Sequence, residues 1–142
     1  MLTYGLIHPP LLAALARLGH GDRLLLADAN FPLRSATKAS AEVVHLNLRP
    51  GLLSIPDVLE PLLAALPVES AVFMGAPDGS EVPAHADYRD LLGPAVGHRV
   101  EADRWAFYDQ TRTADVVVAT ADVRLCSNLV LTVGVHTTGG PR

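Results

Sequence analysis

The sequence predicts an α/β fold, a single domain with a mostly parallel sheet and helices on both faces. Short apolar runs alternate with amphipathic helical segments about every 20 to 30 residues, which is typical of connected strand–helix–strand units. The apolar runs are short and continuous, so they suit strands that are buried on both faces of a parallel sheet. No repeat or linker divides the chain, and residues 1–142 therefore form one predicted domain.

Each predicted element has a local signal. The apolar runs predict strands at 23–27, 42–47, 71–74, 98–102, 116–119 and 128–133. Apolar residues at helical spacing predict helices over 9–18, 54–66, 84–92 and 104–113. Prolines suit the first turn of the first helix, Gly19 ends it, and Ser54 caps the second helix.

The sequence also predicts two polar loops between these elements and a frayed C-terminal segment. The first loop covers 28–40, where Pro32 is expected to exclude a helix. The second covers 121–127 and leads into the last strand. Both loops follow strands, and ligand sites of parallel sheets lie beyond the carboxyl ends of strands. We expect residues 137–142 to be a frayed tail.

The composition argues against several classes of protein. A net charge of −4 with 5% aromatic residues makes a nucleic-acid partner unexpected. Cys126 is the only cysteine, so neither an intramolecular disulfide nor a cysteine-rich zinc site is expected. The first residues lack a secretory signal, and no apolar run approaches the length of a membrane span. We therefore expect a cytoplasmic protein without a membrane partner.

Motifs for bound cofactors are missing as well. No glycine-rich phosphate loop follows a predicted strand, and no nucleophile-elbow or kinase signature occurs. The six histidines show neither HExxH nor HxH spacing. We therefore expect no nucleotide cofactor and no metal.

The polar chemistry is concentrated in residues 19–32. His20 lies on a turn flanked by two glycines, which leaves its imidazole uncrowded. Imidazole suits acid–base work near neutral pH, although a turn histidine is more often only a surface residue. Asp22 either orients that ring or caps the turn. Asp28 ends an apolar strand and is either a functional carboxylate or a turn former. Since a strand separates them, His20 and Asp28 need not meet within one chain.

Further candidates lie later in the chain. Arg104, ahead of an aromatic run that includes Tyr108, could bind an oxygen-rich ligand or pack on a neighbouring ring. Asn128 could bond ligand hydroxyls or shape the entry to the last strand. Cys126 has no visible activating partner, and this favours a packing role over a nucleophilic one.

Four segments together resemble the RbsD/FucU family, which comprises D-ribose pyranase and L-fucose mutarotase. They are Leu18-Gly19-His20-Gly21-Asp22, Asp28-Ala29-Asn30-Phe31-Pro32, Arg104-Trp105-Ala106-Phe107-Tyr108 and Ser127-Asn128-Leu129-Val130-Leu131. The resemblance runs from about residue 11 to residue 135. The arginine followed by Phe107 and Tyr108 is more similar to the fucose mutarotase branch.

The resemblance implies a fold and a reaction. Family members interconvert anomers, or pyranose and furanose rings, of a monosaccharide by acid–base ring opening, without a cofactor. On the family pattern His20 is the proton donor, while Asp28 and Arg104 hold sugar hydroxyls. The segment Cys126-Ser127-Asn128 closes the site, and Asp22 and Tyr108 support it.

The resemblance also implies an assembly. Family members form ring-shaped homo-oligomers, commonly decamers, with sites at subunit interfaces. The chain departs from the family at Cys126, where a tyrosine is usual, and a thiol is a poor hydrogen-bond donor. Two alternatives to a mutarotase stay open, and Cys126 motivates the first of them. One is a sugar-binding or sugar-transport accessory that has lost catalysis. The other is a structural oligomer in which His20 and Asp28 only shape turns.

Overall fold

A computed structural model describes residues 1–137 of the chain, and within them six strands form one sheet. The strands are β1 (Arg23–Ala27), β2 (Glu42–His45), β3 (Val68–Met74), β4 (Gly97–Glu101), β5 (Val116–Ala119) and β6 (Leu129–Val133). Their order across the sheet is β2-β5-β1-β6-β3-β4. The strand pattern predicted from the apolar runs is therefore confirmed. Two predicted strands, 42–47 and 71–74, differ from the observed β2 and β3 by two residues or more at one end.

Helices cover both faces of this sheet, as the sequence predicts. The described helices are α1 (Pro9–Leu15), α2 (Leu33–Ala36), α3 (Ile55–Ala65), α4 (Ala84–Leu92) and α5 (Arg104–Thr111). Successive side chains of β1 point to opposite faces. Leu24 and Leu26 join the core under α1, α3 and α4, whereas Leu25 and Ala27 join the core under α2 and α5.

The direction of β6 is a feature of the sheet that the sequence did not predict. β1, β5 and β2 are mutually parallel, β3 and β4 are parallel, and β6 runs antiparallel to both β1 and β3. Five strands therefore run one way and β6 runs the other. The amino end of β6 consequently lies at the edge of the sheet where β1 and β3 end.

Local signals explain the longest helix. The Ser54 hydroxyl accepts a hydrogen bond from the Asp57 N–H, and the Asp57 carboxylate accepts one from the Ser54 N–H at 2.7 Å. This reciprocal capping box satisfies two N–H groups at the start of α3. The predicted cap at Ser54 is confirmed.

Two predictions about helix boundaries were wrong. Pro32 does not exclude a helix from residues 28–40, because it occupies the N-cap position of α2, where no N–H is needed. Gly19 does not end the first helix, which already stops at Leu15 with Ala16 as its C-cap. The predicted frayed tail at 137–142 falls, apart from Thr137, outside the described residues. None of the described helices has the length and apolar character needed to cross a membrane.

Candidate functional site

A cavity of about 320 Å³ opens at the edge of the sheet where β1, β3 and β4 end and β6 begins. We call it the carboxyl-edge pocket. Its lining residues come from these strand ends, from the start of α5 and from the loop before β6; they are Asp28, Asn30, Phe31, Pro32, Met74, Pro77, Arg104, Tyr108, Leu125, Cys126 and Asn128. Because strand ends from distant parts of the chain converge here, five predicted site residues share this one cavity.

Asp28 and Asn128 are bound to each other in its floor. The Asp28 N–H donates to Asn128 Oδ1 at 2.7 Å, and Asn128 Nδ2 donates to Asp28 Oδ2 at 2.7 Å. The other carboxylate oxygen, Asp28 Oδ1, accepts from the Asn30 N–H at 2.9 Å. Both side chains are buried, with 6% of Asp28 and 3% of Asn128 exposed. The carboxylate is thus held in one orientation at the base of the pocket.

Burial sets the protonation behaviour of Asp28. Its removal from water raises the pKa of the Asp28 carboxyl above the ordinary 3.8, because the charged form loses hydration. Hydrogen bonds from Asn30 and Asn128 oppose this rise, and the negative charge of Asp122 adds to it. The net effect is a carboxyl group that takes up a proton more readily than an exposed aspartate.

The first turns of α5 supply a cation and an aromatic hydroxyl. The Asp103 carboxylate caps this helix by accepting from the Trp105 and Ala106 N–H groups at 2.8 and 3.0 Å. Arg104 and Tyr108 are four residues apart and therefore lie on one side of the helix. The Tyr108 ring packs edge-on against Phe31, with ring centroids 5.7 Å apart. Arg104 makes no ion pair within residues 1–137, so its charge remains for a ligand.

The segment before β6 contributes Cys126 to the lining and keeps Ser127 behind it. Cys126 has a left-handed backbone, with φ of 59°, and its side chain is partly buried. Burial, followed by the charge of Asp28, raises the pKa of the thiol, so it stays protonated rather than becoming a nucleophile. The Ser127 hydroxyl is buried and donates to the Arg124 carbonyl at 2.9 Å. Ser127 therefore does not line the pocket, unlike the other residues of its segment.

His20 lies at the opposite edge of the sheet. Its turn is shaped by Gly21, with φ of 86°, and by Asp22, whose carboxylate accepts from the Gly19 N–H at 2.7 Å. The His20 Nε2 atom lies 3.0 Å from the Glu69 carboxylate on β3. The five residues of β1 separate His20 from Asp28 by about 17 Å at 3.3 Å per residue. Within one chain His20 therefore does not reach the carboxyl-edge pocket.

Comparison with known proteins agrees with this architecture. The model of the RbsD / FucU transport protein family matches residues 1–136. The chain belongs to the RbsD/FucU family. Proteins named fucose mutarotase from Bos taurus and Danio rerio are 37% and 38% identical to it, over 92% and 89% of this chain and 90% and 88% of theirs. A D-ribose pyranase from Laribacter hongkongensis is 33% identical over 95% of this chain and 98% of its own.

Solved structures of the RbsD/FucU family are also similar to it. The fucose mutarotase of Streptococcus pneumoniae in complex with L-fucose has a TM-score of 0.75 and 29% identity, over 92% of this chain and 95% of that chain. The RbsD of Bacillus subtilis complexed with D-ribose has a TM-score of 0.83 over 96% of this chain and all of that one. At 24% identity, the latter likeness shows the fold alone.

The sequence did not single out two residues that contribute to these edges, Met74 at the carboxyl-edge pocket and Glu69 beside His20. Met74 ends a strand that the apolar pattern did predict, so its place beside Asp28 could have been inferred from topology. Glu69, the partner of His20, lies outside the predicted strand 71–74 and had no signal. Among residues 1–137 no group of three or more histidine, cysteine or acidic side chains could hold a metal ion.

Proposed function

We propose that the chain is a monosaccharide mutarotase that interconverts the anomers of a sugar such as L-fucose without a cofactor. The observation that carries this proposal is the carboxyl-edge pocket, where a carboxylate, a carboxamide, a guanidinium and a phenol face one cavity of about 320 Å³. Such a mixture of acceptors and donors suits a neutral ligand covered with hydroxyl groups. Relatives named for fucose and ribose chemistry support the same class of substrate.

The reaction requires one proton to leave the sugar and another to arrive. A base removes the proton of the anomeric hydroxyl, an acid protonates the ring oxygen, and the bond between C1 and that oxygen breaks to give the open-chain aldehyde. Rotation about the next carbon–carbon bond and the reverse proton transfers close the ring on the other face. We assign the sugar-holding role to Asp28, Arg104, Asn128 and the Cys126 backbone, with Tyr108 as support, and Ser127 lies behind this lining.

We assign the proton donor to His20, provided by a neighbouring subunit. His20 and the pocket of its own chain lie at opposite edges of the sheet, so a complete site needs two copies of the chain. Its neighbour Glu69, at 3.0 Å, orients the ring, and Asp22 fixes the turn. The corresponding assembly is a ring-shaped homo-oligomer, a decamer on the family pattern, and we place it in the cytoplasm.

Exchange between anomers tests this function directly. Saturation-transfer NMR on L-fucose and D-ribose should show faster exchange with the protein than without it, and more so for L-fucose. His20→Ala should reduce the acceleration roughly 10²-fold or more, as expected for a lost acid catalyst. His45→Ala, at an exposed histidine on β2 that does not line the pocket, is the matched control and should exchange at the wild-type rate. No acceleration of either sugar, or an unaffected His20→Ala, would contradict the proposal.

A second candidate function is a sugar-binding or sugar-transport accessory without catalysis. The observation in its favour is Cys126, whose protonated thiol lines the pocket and is a weak donor to a sugar hydroxyl. Calorimetry that detects sugar binding, together with NMR that detects no exchange, would favour this candidate. Exchange that appears only in Cys126→Tyr would then identify the thiol as the reason.

A further inference from the structure

Two titratable side chains of α4 that take no part in the proposed chemistry are buried. His85 is 4% exposed, and Tyr88, one helical turn later, is fully buried. Both pack on Phe73 of β3, with ring centroids 5.1 and 5.5 Å from the Phe73 ring. Apolar side chains would fill this space without the free-energy cost of burying polar atoms. The polar atoms therefore need an explanation other than packing.

Two main-chain carbonyls at the end of the sheet explain why these polar side chains are buried there. The pairing of β3 with β6 reaches Phe73 and Leu129, and one further bond joins the Met74 N–H to the Asn128 carbonyl at 3.0 Å. Beyond this point, the carbonyl of Met74 accepts from His85 Nε2 at 2.9 Å. The carbonyl of Ser127 accepts from the Tyr88 hydroxyl at 2.6 Å. α4 thus supplies the donors where the sheet stops supplying them.

These carbonyls flank the residue that binds Asp28. Asn128 follows Ser127 directly, and its Nδ2 atom contacts Met74 Sδ at 3.3 Å as well as Asp28 Oδ2. The carboxamide must meet the Asp28 N–H and Asp28 Oδ2 at once, so its backbone has little room to move. A shift at either Met74 or Ser127 would lengthen one of the two bonds to Asp28.

We propose that His85 and Tyr88 are positioning residues of the carboxyl-edge pocket, acting through the Met74 and Ser127 carbonyls to hold Asn128 against Asp28. The proposal rests on the mutarotase function above. Neither side chain lines the pocket, so neither touches the sugar. Their effect is transmitted through backbone hydrogen bonds to the group that orients the carboxylate.

Three variants test the proposal by saturation-transfer NMR at several L-fucose concentrations, which separates kcat from KM. Tyr88→Phe removes the hydroxyl and keeps the ring, and His85→Leu removes the ring donor. Each should lower kcat/KM about tenfold, since small displacements of positioned groups have large effects on rate. His85→Gln, whose amide can still donate to the Met74 carbonyl, should recover part of that loss.

A control separates positioning from general stability. Ser54→Ala removes the cap of α3 and should lower the melting temperature while leaving kcat/KM unchanged, because the Ser54 side chain bonds to Asp57 and does not line the pocket. Non-additivity is the second criterion: in an Asn128→Ala background, Tyr88→Phe should cause no further loss, because both act through the same bonds to Asp28. A Tyr88→Phe effect no larger than that of Ser54→Ala, or fully additive with Asn128→Ala, would overturn the proposal.

A structural measurement keeps this result distinct from failure of the proposed function. If the wild-type protein exchanges no sugar, the mutarotase assignment fails, and a crystal structure of Tyr88→Phe still decides the positioning role. Lengthening of the Asn128 Nδ2 to Asp28 Oδ2 distance beyond hydrogen-bond range supports it. An unchanged 2.7 Å distance overturns it.

Discussion

Asp28 and Asn128 are the residues on which the pocket depends most. Sequence alone leaves each of them with two interpretations, a turn former or strand-entry residue against a ligand contact. The structure combines the two interpretations, because the same two hydrogen bonds that shape the strand ends also orient the carboxylate. This pairing joins residues 100 positions apart, so no local pattern could have predicted it. The place of Asp28 beyond the carboxyl end of β1 was predictable, whereas the place of Asn128 at the same edge depends on the reversal of β6.

The raised pKa of Asp28 predicts a specific dependence of stability on pH. Since burial favours the protonated carboxyl in the folded state, the folded chain binds more protons than the unfolded chain between pH 3.8 and the raised pKa. The stabilisation by Asp28 is therefore fully present below pH 3.8 and is lost as the pH rises through the folded pKa. The free energy of unfolding of wild type minus that of Asp28→Asn should accordingly fall over this range in urea titrations.

Asp122→Asn is the matched control, and it should give the opposite slope. Burial is the largest influence on Asp122 and raises its pKa, but bonds from Arg124 and the Ile55 N–H together lower it below 3.8. Its stabilisation is present above pH 3.8 and is lost as the pH falls through the folded pKa. Two slopes of the same sign would contradict these assignments.

The strands and helices that were predicted well are those whose bounds follow from their own local sequence. β1, β5 and α4 were predicted to the residue, because a buried strand needs an apolar run and α4 ends at a glycine. The sequence does not predict α2, because a proline breaks a helix in its interior but is tolerated at its start, and Pro32 lies at the N-cap position. The reversal of β6 was not predictable from periodicity, since an antiparallel and a parallel strand in this buried position show the same apolar run.

Gly75 controls how closely β3 approaches the chain after β4, and substitution there should disturb the pocket. A Cβ atom at Gly75 would lie 2.9 Å from Ala102 Cα, a backbone atom that cannot rotate away. Ala102 lies two residues before Arg104, so relief of this contact would move the start of α5. We expect Gly75→Ala to cost about 1–3 kcal/mol of unfolding free energy, as overpacking does, and to raise KM for L-fucose.

Gly97→Ala is the control for this substitution. Gly97 lies on β4, and a Cβ atom there would meet no other atom within 4 Å. It should leave both the unfolding free energy, measured by chemical denaturation, and KM close to wild type. If both variants lost similar amounts of unfolding free energy, the close approach of Gly75 to Ala102 would not be the cause of the loss.

At the scale of the whole molecule, His20 and the carboxyl-edge pocket lie at opposite edges of the sheet. His20 and Asp28 bracket one strand, and the sequence already indicated that they need not meet within a chain. The five residues of β1 between them span about 17 Å at 3.3 Å per residue, which is too far for contact between the two side chains. His20 is paired with Glu69 at the far edge, and its side chain is 60% exposed. An exposed, oriented imidazole at one edge and an open pocket at the other suit contact between copies of the chain.

If each site is shared between two subunits, oligomers that mix two inactive variants should regain activity. His20→Ala and Asp28→Asn should each lose most of the acceleration of anomer exchange when expressed alone. Co-expressed chains should regain activity, because some interfaces then combine an intact His20 with an intact Asp28. With random assembly about a quarter of the sites would be intact, so saturation-transfer NMR should recover about a quarter of the wild-type rate. Native mass spectrometry verifies that the oligomers are mixed. If each site were built within one chain, every chain would carry a lesion, and mixed oligomers would remain as inactive as either variant.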